Sequence, residues 1–161
     1  MSDMPQHVDY MARSREYYLA QGYATPYAWA HHSTIPFSNL KVPLNQAGVA
    51  LVTTASHSRE DGQPANPKCT EIGMSDRPPE KFFTEDLAWD KVATHTDDLG
   101  SYFPLQAMRK LADERTIGRV ASRYYCLPSK YSQRETLEVD GPEIVQSCLE
   151  NEVTAAVLVP L

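Results

Sequence analysis

Several things are scarce in this 161-residue sequence, and each scarcity excludes a class of protein. Only three cysteines are present, Cys69, Cys126 and Cys148, with no Cys-x-x-Cys spacing. Neither a disulfide framework nor a structural zinc motif fits that count. No apolar stretch reaches the roughly 18–20 residues needed to cross a bilayer. The opening Met1-Ser2-Asp3-Met4-Pro5 lacks the basic and apolar regions of a signal peptide, so cytoplasmic residence is expected. The net charge of -6 comes without a compensating basic run, which argues against nucleic acid or an anionic membrane as partner. No glycine-rich dinucleotide fingerprint follows the first strand, and a nicotinamide or flavin cofactor is disfavoured.

What is there suits a soluble globular domain: 42% apolar and 22% charged residues, enough chain for a core, and no repeats or low-complexity tracts. Val8 to Gln21 carries helical spacing, with Val8, Met11, Ala12, Tyr18 and Leu19 on one face and Gly22 as its stop. Tyr23 to Pro43 contains Pro26, Pro36 and Pro43 together with Tyr27, Trp29, His31-His32 and Phe37. It reads as an extended arm in need of an apolar surface, which its own domain or a second copy of the chain would supply.

Gly48 to Thr54 reads as a central strand, and Ser56 to Pro79 as a long polar loop. Trp89 to Thr94 is a weaker strand. Pro104 opens a helix to about Glu114, and Ile117 to Cys126 has the composition of one further strand. Asp140 and Glu143 have capping-box spacing for a last helix, with Ile144, Val145, Cys148 and Leu149 on its apolar stripe and Asn151 as a left-handed stop. Glu152 to Leu161 then reads as a strand buried on both faces. This alternation predicts a single α/β domain over 1–161: a helix and arm over 1–47, and a sheet-and-helix core over 48–161. The expected architecture is a three-layer, open, mostly parallel sheet of flavodoxin- or Rossmann-like type.

In such a sheet, ligands gather past the carboxyl ends of the strands. Thr53, Thr54 and His57 follow the first strand, and His95, Asp97 and Asp98 follow the second, making a pocket for a small molecule. His95 with Asp97 is the weak candidate for a metal pair. The alternative is an Asp97 or Asp98 that caps a turn. Ser56 and His57 are neighbours on an extended chain and point apart, so they make no catalytic pair.

The segment Val8-Asp9-Tyr10-Met11-Ala12-Arg13-Ser14-Arg15-Glu16-Tyr17-Tyr18 resembles the opening of the selenoprotein B family of glycine, sarcosine, betaine and D-proline reductases. Val49-Ala50-Leu51-Val52-Thr53-Thr54 is similar to a strand of that family. Phe103-Pro104-Leu105 with Met108, Leu111, Ile117 and Gly118 resembles its Phe-Pro-Leu…Ile-Gly signature. Ala156-Val157-Leu158-Val159-Pro160 resembles the strand that leads to its redox centre. The small proline-reductase-type subunit is the nearest pattern. Ala55-Ser56 departs from it where the family has paired glycines, and Ser56 to Asp90 matches poorly.

The resemblance implies reductive cleavage of a carbon–nitrogen bond in an amino-acid-like substrate, glycine derivatives or D-proline. It also implies assembly with other reductase subunits. The family's selenocysteine or cysteine stands immediately after the position of Leu161, with a second cysteine beyond. The resemblance thus implies that no catalytic redox residue lies within these 161 residues, that the sequence stops at the selenocysteine codon, and that selenocysteine is expected only in a longer product. The sheet would then be incomplete at its C-terminus and covered in a homo-oligomer, with the 23–37 arm as a contact. A complete non-redox or metal-dependent enzyme using His95 with Asp97 or Asp98, and a non-catalytic assembly protein, are the alternatives.

Overall fold

A computed structural model describes residues 9–25, 28, 30–35, 38–59, 61–62, 70–85, 95–127, 130 and 132–161. The chain divides into two compact units, Met1–Phe37 and Ser38–Leu161.

In the first unit, helix α1 (Tyr10–Ala20) starts where the Asp9 carboxylate accepts a hydrogen bond from Ala12 N, 3.1 Å. It ends as its glycine predicts. Gly22 takes a positive φ of 88°, and Tyr23 N donates back to Tyr18 O. Met11, Tyr18 and Leu19 are all exposed. No helix or strand follows among the described residues of the arm. Val8, Pro26, Tyr27, Trp29, Pro36 and Phe37 lie outside the described residues, as does the strand expected over 89–94.

The second unit is an α/β structure built on β1 (Gly48–Thr53), whose six residues are all buried. Next come β2 (Ser56–His57), β3 (Glu71–Met74), β4 (Phe82–Phe83), helix α2 (Leu105–Asp113), β5 (Arg119–Val120) and β6 (Arg123–Cys126). A helical turn α3 (Gln133–Glu135), a π-helical turn (Thr136–Asp140), helix α4 (Gly141–Glu150) and β7 (Ala155–Val159) complete it. β1 pairs in parallel with β5, β6 and β7, while β3 lies antiparallel to β6 and makes the sheet mixed.

The two faces of β1 are covered differently, because alternate residues point to opposite sides. Val49 and Leu51 pack with Leu105 and Met108 of α2, and with Phe82, Phe103 and Tyr124. Ala50 and Val52 pack with Tyr125 and with Ile144 and Cys148 of α4. α2 is amphipathic as its sequence predicts, with Leu105 and Met108 inside and Leu111 on the rim.

Several expectations are corrected. The Ser56–Pro79 segment is not a continuous loop. β2 pairs with β4, and β3 joins the main sheet, where its short alternating run gains value only from a partner strand. Ile117–Cys126 forms two strands, broken where Ala121 N donates to Val49 O and Ser122 O accepts from Ser75 N.

Asp140 does not cap α4. It sits at helical φ and ψ inside a continuous helical stretch, with its carboxylate buried on Lys130 Nζ at 2.7 Å and Thr70 Oγ1 at 3.0 Å. The side-chain cap is eight residues earlier, where Ser132 Oγ accepts from Glu135 N. Asn151 keeps a negative φ of -105°, and the left-handed residue is Glu152. Asn151 instead donates its side-chain amide to Ser147 O, 2.7 Å.

The terminal strand departs most from expectation. β7 pairs with β1 along its length, yet Val157 is 42% and Leu158 72% exposed. It occupies one side of β1 with no further strand beyond it among the described residues, so its apolar run is only half covered.

Candidate functional site

Register brings three strand ends level. Thr53 is opposite Cys126 of β6 on one side and Val159 of β7 on the other. Thr53 itself is spent on structure: its buried hydroxyl donates to Tyr102 O and accepts from Ala55 N. Thr54 reaches the other way. Leu161 N donates to Thr54 Oγ1 at 2.8 Å, and the hydroxyl lies 3.3 Å from Leu161 O.

Beyond Thr54 the chain turns into β2, and pairing with Phe83 and Phe82 fixes where Ser56 and His57 point. The imidazole of His57 stacks on Phe82, centroids 5.6 Å apart and planes 21° apart. Glu71 Oε2 accepts from His57 N at 2.9 Å and lies 3.4 Å from Nδ1. Nε2 is 2.8 Å from the Tyr124 hydroxyl and 3.8 Å from Cys126 Sγ. A carboxylate beside Nδ1 assigns the ring proton to that nitrogen, which leaves the Nε2 lone pair to face Tyr124 and Cys126.

Glu71 and Cys126 are direct cross-strand partners, so their side chains share a face of the β3–β6 pair. Gly73 makes room for the site. A Cβ at that position would strike the ring of Tyr124 on the facing strand.

The electrostatics favour neutral forms. Burial, and then the negative charge of Glu71, push the Cys126 thiol well above its ordinary value of 9.0. Burial also raises Tyr124, with Cys126 and Glu71 adding to it. Cys126 is therefore a protonated thiol at neutral pH and no ready nucleophile.

The other predicted residues sit apart. His95 Nδ1 accepts from Asp97 N, and Asp97 Oδ2 lies 3.5 Å from the same nitrogen, with side chains 70% and 91% exposed. Asp98 accepts from Gly100 N and caps the 3-10 turn Leu99–Ser101. Burial, Asp97 and then Asp98 raise the Tyr102 hydroxyl. His95 and Asp97 line a groove of ≈ 430 Å³ with Lys81, Phe82 and Glu85. Phe82 is the common element, stacked on His57 and lining that groove.

The sequence reading thus brings Thr53, Thr54 and His57 to one place and His95, Asp97 and Asp98 to another. It does not single out Glu71 or Tyr124, and it takes Cys126 for a buried thiol outside any site. Glu71 stood in a segment read as loop, and only its pairing with Cys126 exposes the relation. Comparison of the chain with protein-family models, with curated proteins and with solved structures finds no match.

Proposed function

We propose that this chain belongs to a reductase subunit that cleaves a carbon–nitrogen bond of glycine derivatives or D-proline. The observation that carries the reading is the placement of Leu161. It is hydrogen-bonded to Thr54 at the carboxyl edge of parallel strands, where open α/β sheets hold their ligands. The selenoprotein B resemblance assigns the redox residue to the position directly after Leu161, which would emerge at this edge. The edge also carries His57, Tyr124 and Cys126, through the common level of Thr53, Cys126 and Val159.

In this reading the sheet belongs to a flavodoxin-like arrangement, and the protein works in the cytoplasm. It acts as an oligomer together with other reductase subunits. Two electrons and one proton go to the substrate carbon, and a second proton goes to its nitrogen as the carbon–nitrogen bond breaks, which frees the amine of a glycine derivative or opens the ring of D-proline. The selenol–thiol pair gives up both electrons and both protons and becomes a selenenyl sulfide. An external dithiol then restores the pair. A selenolate suits the step as a strong nucleophile and good leaving group at neutral pH.

The test has two arms. The nucleotide sequence after the Leu161 codon is expected to encode a selenocysteine and a nearby cysteine in frame. With dithiothreitol, a product extended through them is expected to release amine from glycine derivatives or to open the D-proline ring to a primary amine, while residues 1–161 alone do neither. Turnover by the 161-residue chain, or no continuing frame, would overturn the proposal.

A further inference from the structure

His57, Glu71 and Cys126 form a cluster to which the reductase reading assigns no joint chemistry. Their donor atoms all lie within 4.8 Å of one another, and their side chains are buried or half-buried. Three elements supply them: β2 gives the imidazole, β3 the carboxylate and β6 the thiol. The antiparallel register holds Glu71 directly opposite Cys126, and Tyr124 and Phe82 wall the imidazole in place.

Left as it stands, this arrangement sets a carboxylate near a thiol whose sulfur lies 3.8 Å from the imidazole Nε2. A cation would remove that mismatch, since a thiolate and a carboxylate together neutralise a divalent charge. The spacing also fits. In a tetrahedral site with bonds of about 2.0 Å to nitrogen and about 2.3 Å to sulfur, those two donors stand about 3.5 Å apart. Nε2 and Sγ here are 3.8 Å apart. Nε2 carries the free lone pair, held today by a hydrogen bond from Tyr124. The Glu71 carboxylate lies 3.4 Å from Nδ1, and in the proposed site one of its oxygens would turn onto the ion.

We propose that His57, Cys126 and Glu71 bind one zinc-class divalent cation, with a fourth position left for water or a small ligand. Imidazole, thiolate and carboxylate together are a borderline-soft donor set, which selects zinc or cobalt over magnesium or calcium. On binding, the thiol proton leaves to solvent and the Tyr124 hydroxyl gives up its bond to Nε2. The inference rests on this side-chain cluster and holds whether or not the chain is a reductase.

Cobalt(II) reports on it directly, because a thiolate ligand gives a near-ultraviolet charge-transfer band. Titrating chelator-treated full chain with cobalt chloride is expected to saturate at one ion per chain and to develop that band. Zinc chloride is expected to abolish it by displacement. The C69S/C148S variant leaves Cys126 as its sole cysteine and is expected to keep the band. H57A and E71Q are expected to weaken binding at least tenfold, with circular dichroism confirming that they fold. A wild-type protein without the band overturns the proposal. So does loss of the band in folded C69S/C148S, or unchanged affinity in both folded H57A and E71Q.

Discussion

Leu161 N donates to the Thr54 hydroxyl at 2.8 Å, across 107 residues of chain. This contact holds the carboxyl ends of β7 and β1 together at the edge where the functional residues gather. Thr54→Val removes the hydroxyl while keeping the shape. It is expected to cost about 1 kcal/mol, the usual net worth of such hydrogen bonding. Urea denaturation measures that loss. Hydrogen exchange should show it concentrated at Leu161 and the end of β7, and a change spread evenly over the sheet would contradict the assignment.

Lys130 and Asp140 form the most buried ion pair among the described residues, their side chains 8% and 2% exposed. Removing one partner strands the other charge. Lys130→Met is therefore expected to destabilise the fold by about 3–5 kcal/mol. The double variant K130M/D140L is expected to recover most of that loss, because no buried charge is left behind and the side chain of Glu135, the other carboxylate on Lys130, is 43% exposed. Chemical denaturation of the three proteins makes the comparison.

Gly73 is fixed by the Tyr124 ring that lies across it. Gly73→Ala forces that ring aside, at a cost of about 1–3 kcal/mol by overpacking. The displaced hydroxyl also leaves His57. Cobalt binding at His57 and Cys126 should therefore change along with stability, which a simple surface substitution would not produce.

The alkaline limit of stability follows from Cys126 and Tyr124. Both are held protonated in the fold, above their ordinary values of 9.0 and 10.0. In the unfolded chain they ionise at those ordinary values, so the folded state binds more protons and unfolding becomes easier as pH rises. Melting temperature in a chelating buffer is expected to stay level up to about pH 8.5 and to fall beyond it. Cys126→Ala should delay the onset until the tyrosine begins to ionise. Lys130, raised chiefly by its bond to Asp140, adds a loss only at still higher pH, as it gives up its proton.

Where one segment decides its own conformation, the sequence was legible. Gly22 stops α1 because only a residue at ease with positive φ completes that turn. Leu105 and Met108 face the core because three residues nearly close a helical turn. Gly48 to Val52 is apolar throughout and, with Thr53, is buried throughout, as a strand between two layers must be.

The rest depended on partners distant in sequence. Glu71-Ile72-Gly73-Met74 has no marked strand signal by itself and becomes one by pairing with Arg123–Cys126. Asp140 has the spacing of a cap, but the nearby cation of Lys130 drew it inside instead. The apolar run at Ala155–Val159 specified a strand without specifying cover, which depends on what stands beyond β7. His57 was legible as a strand-end residue. That it meets Glu71, Tyr124 and Cys126 was decided by the tertiary structure, since strand register is a property of two segments and is written in neither alone.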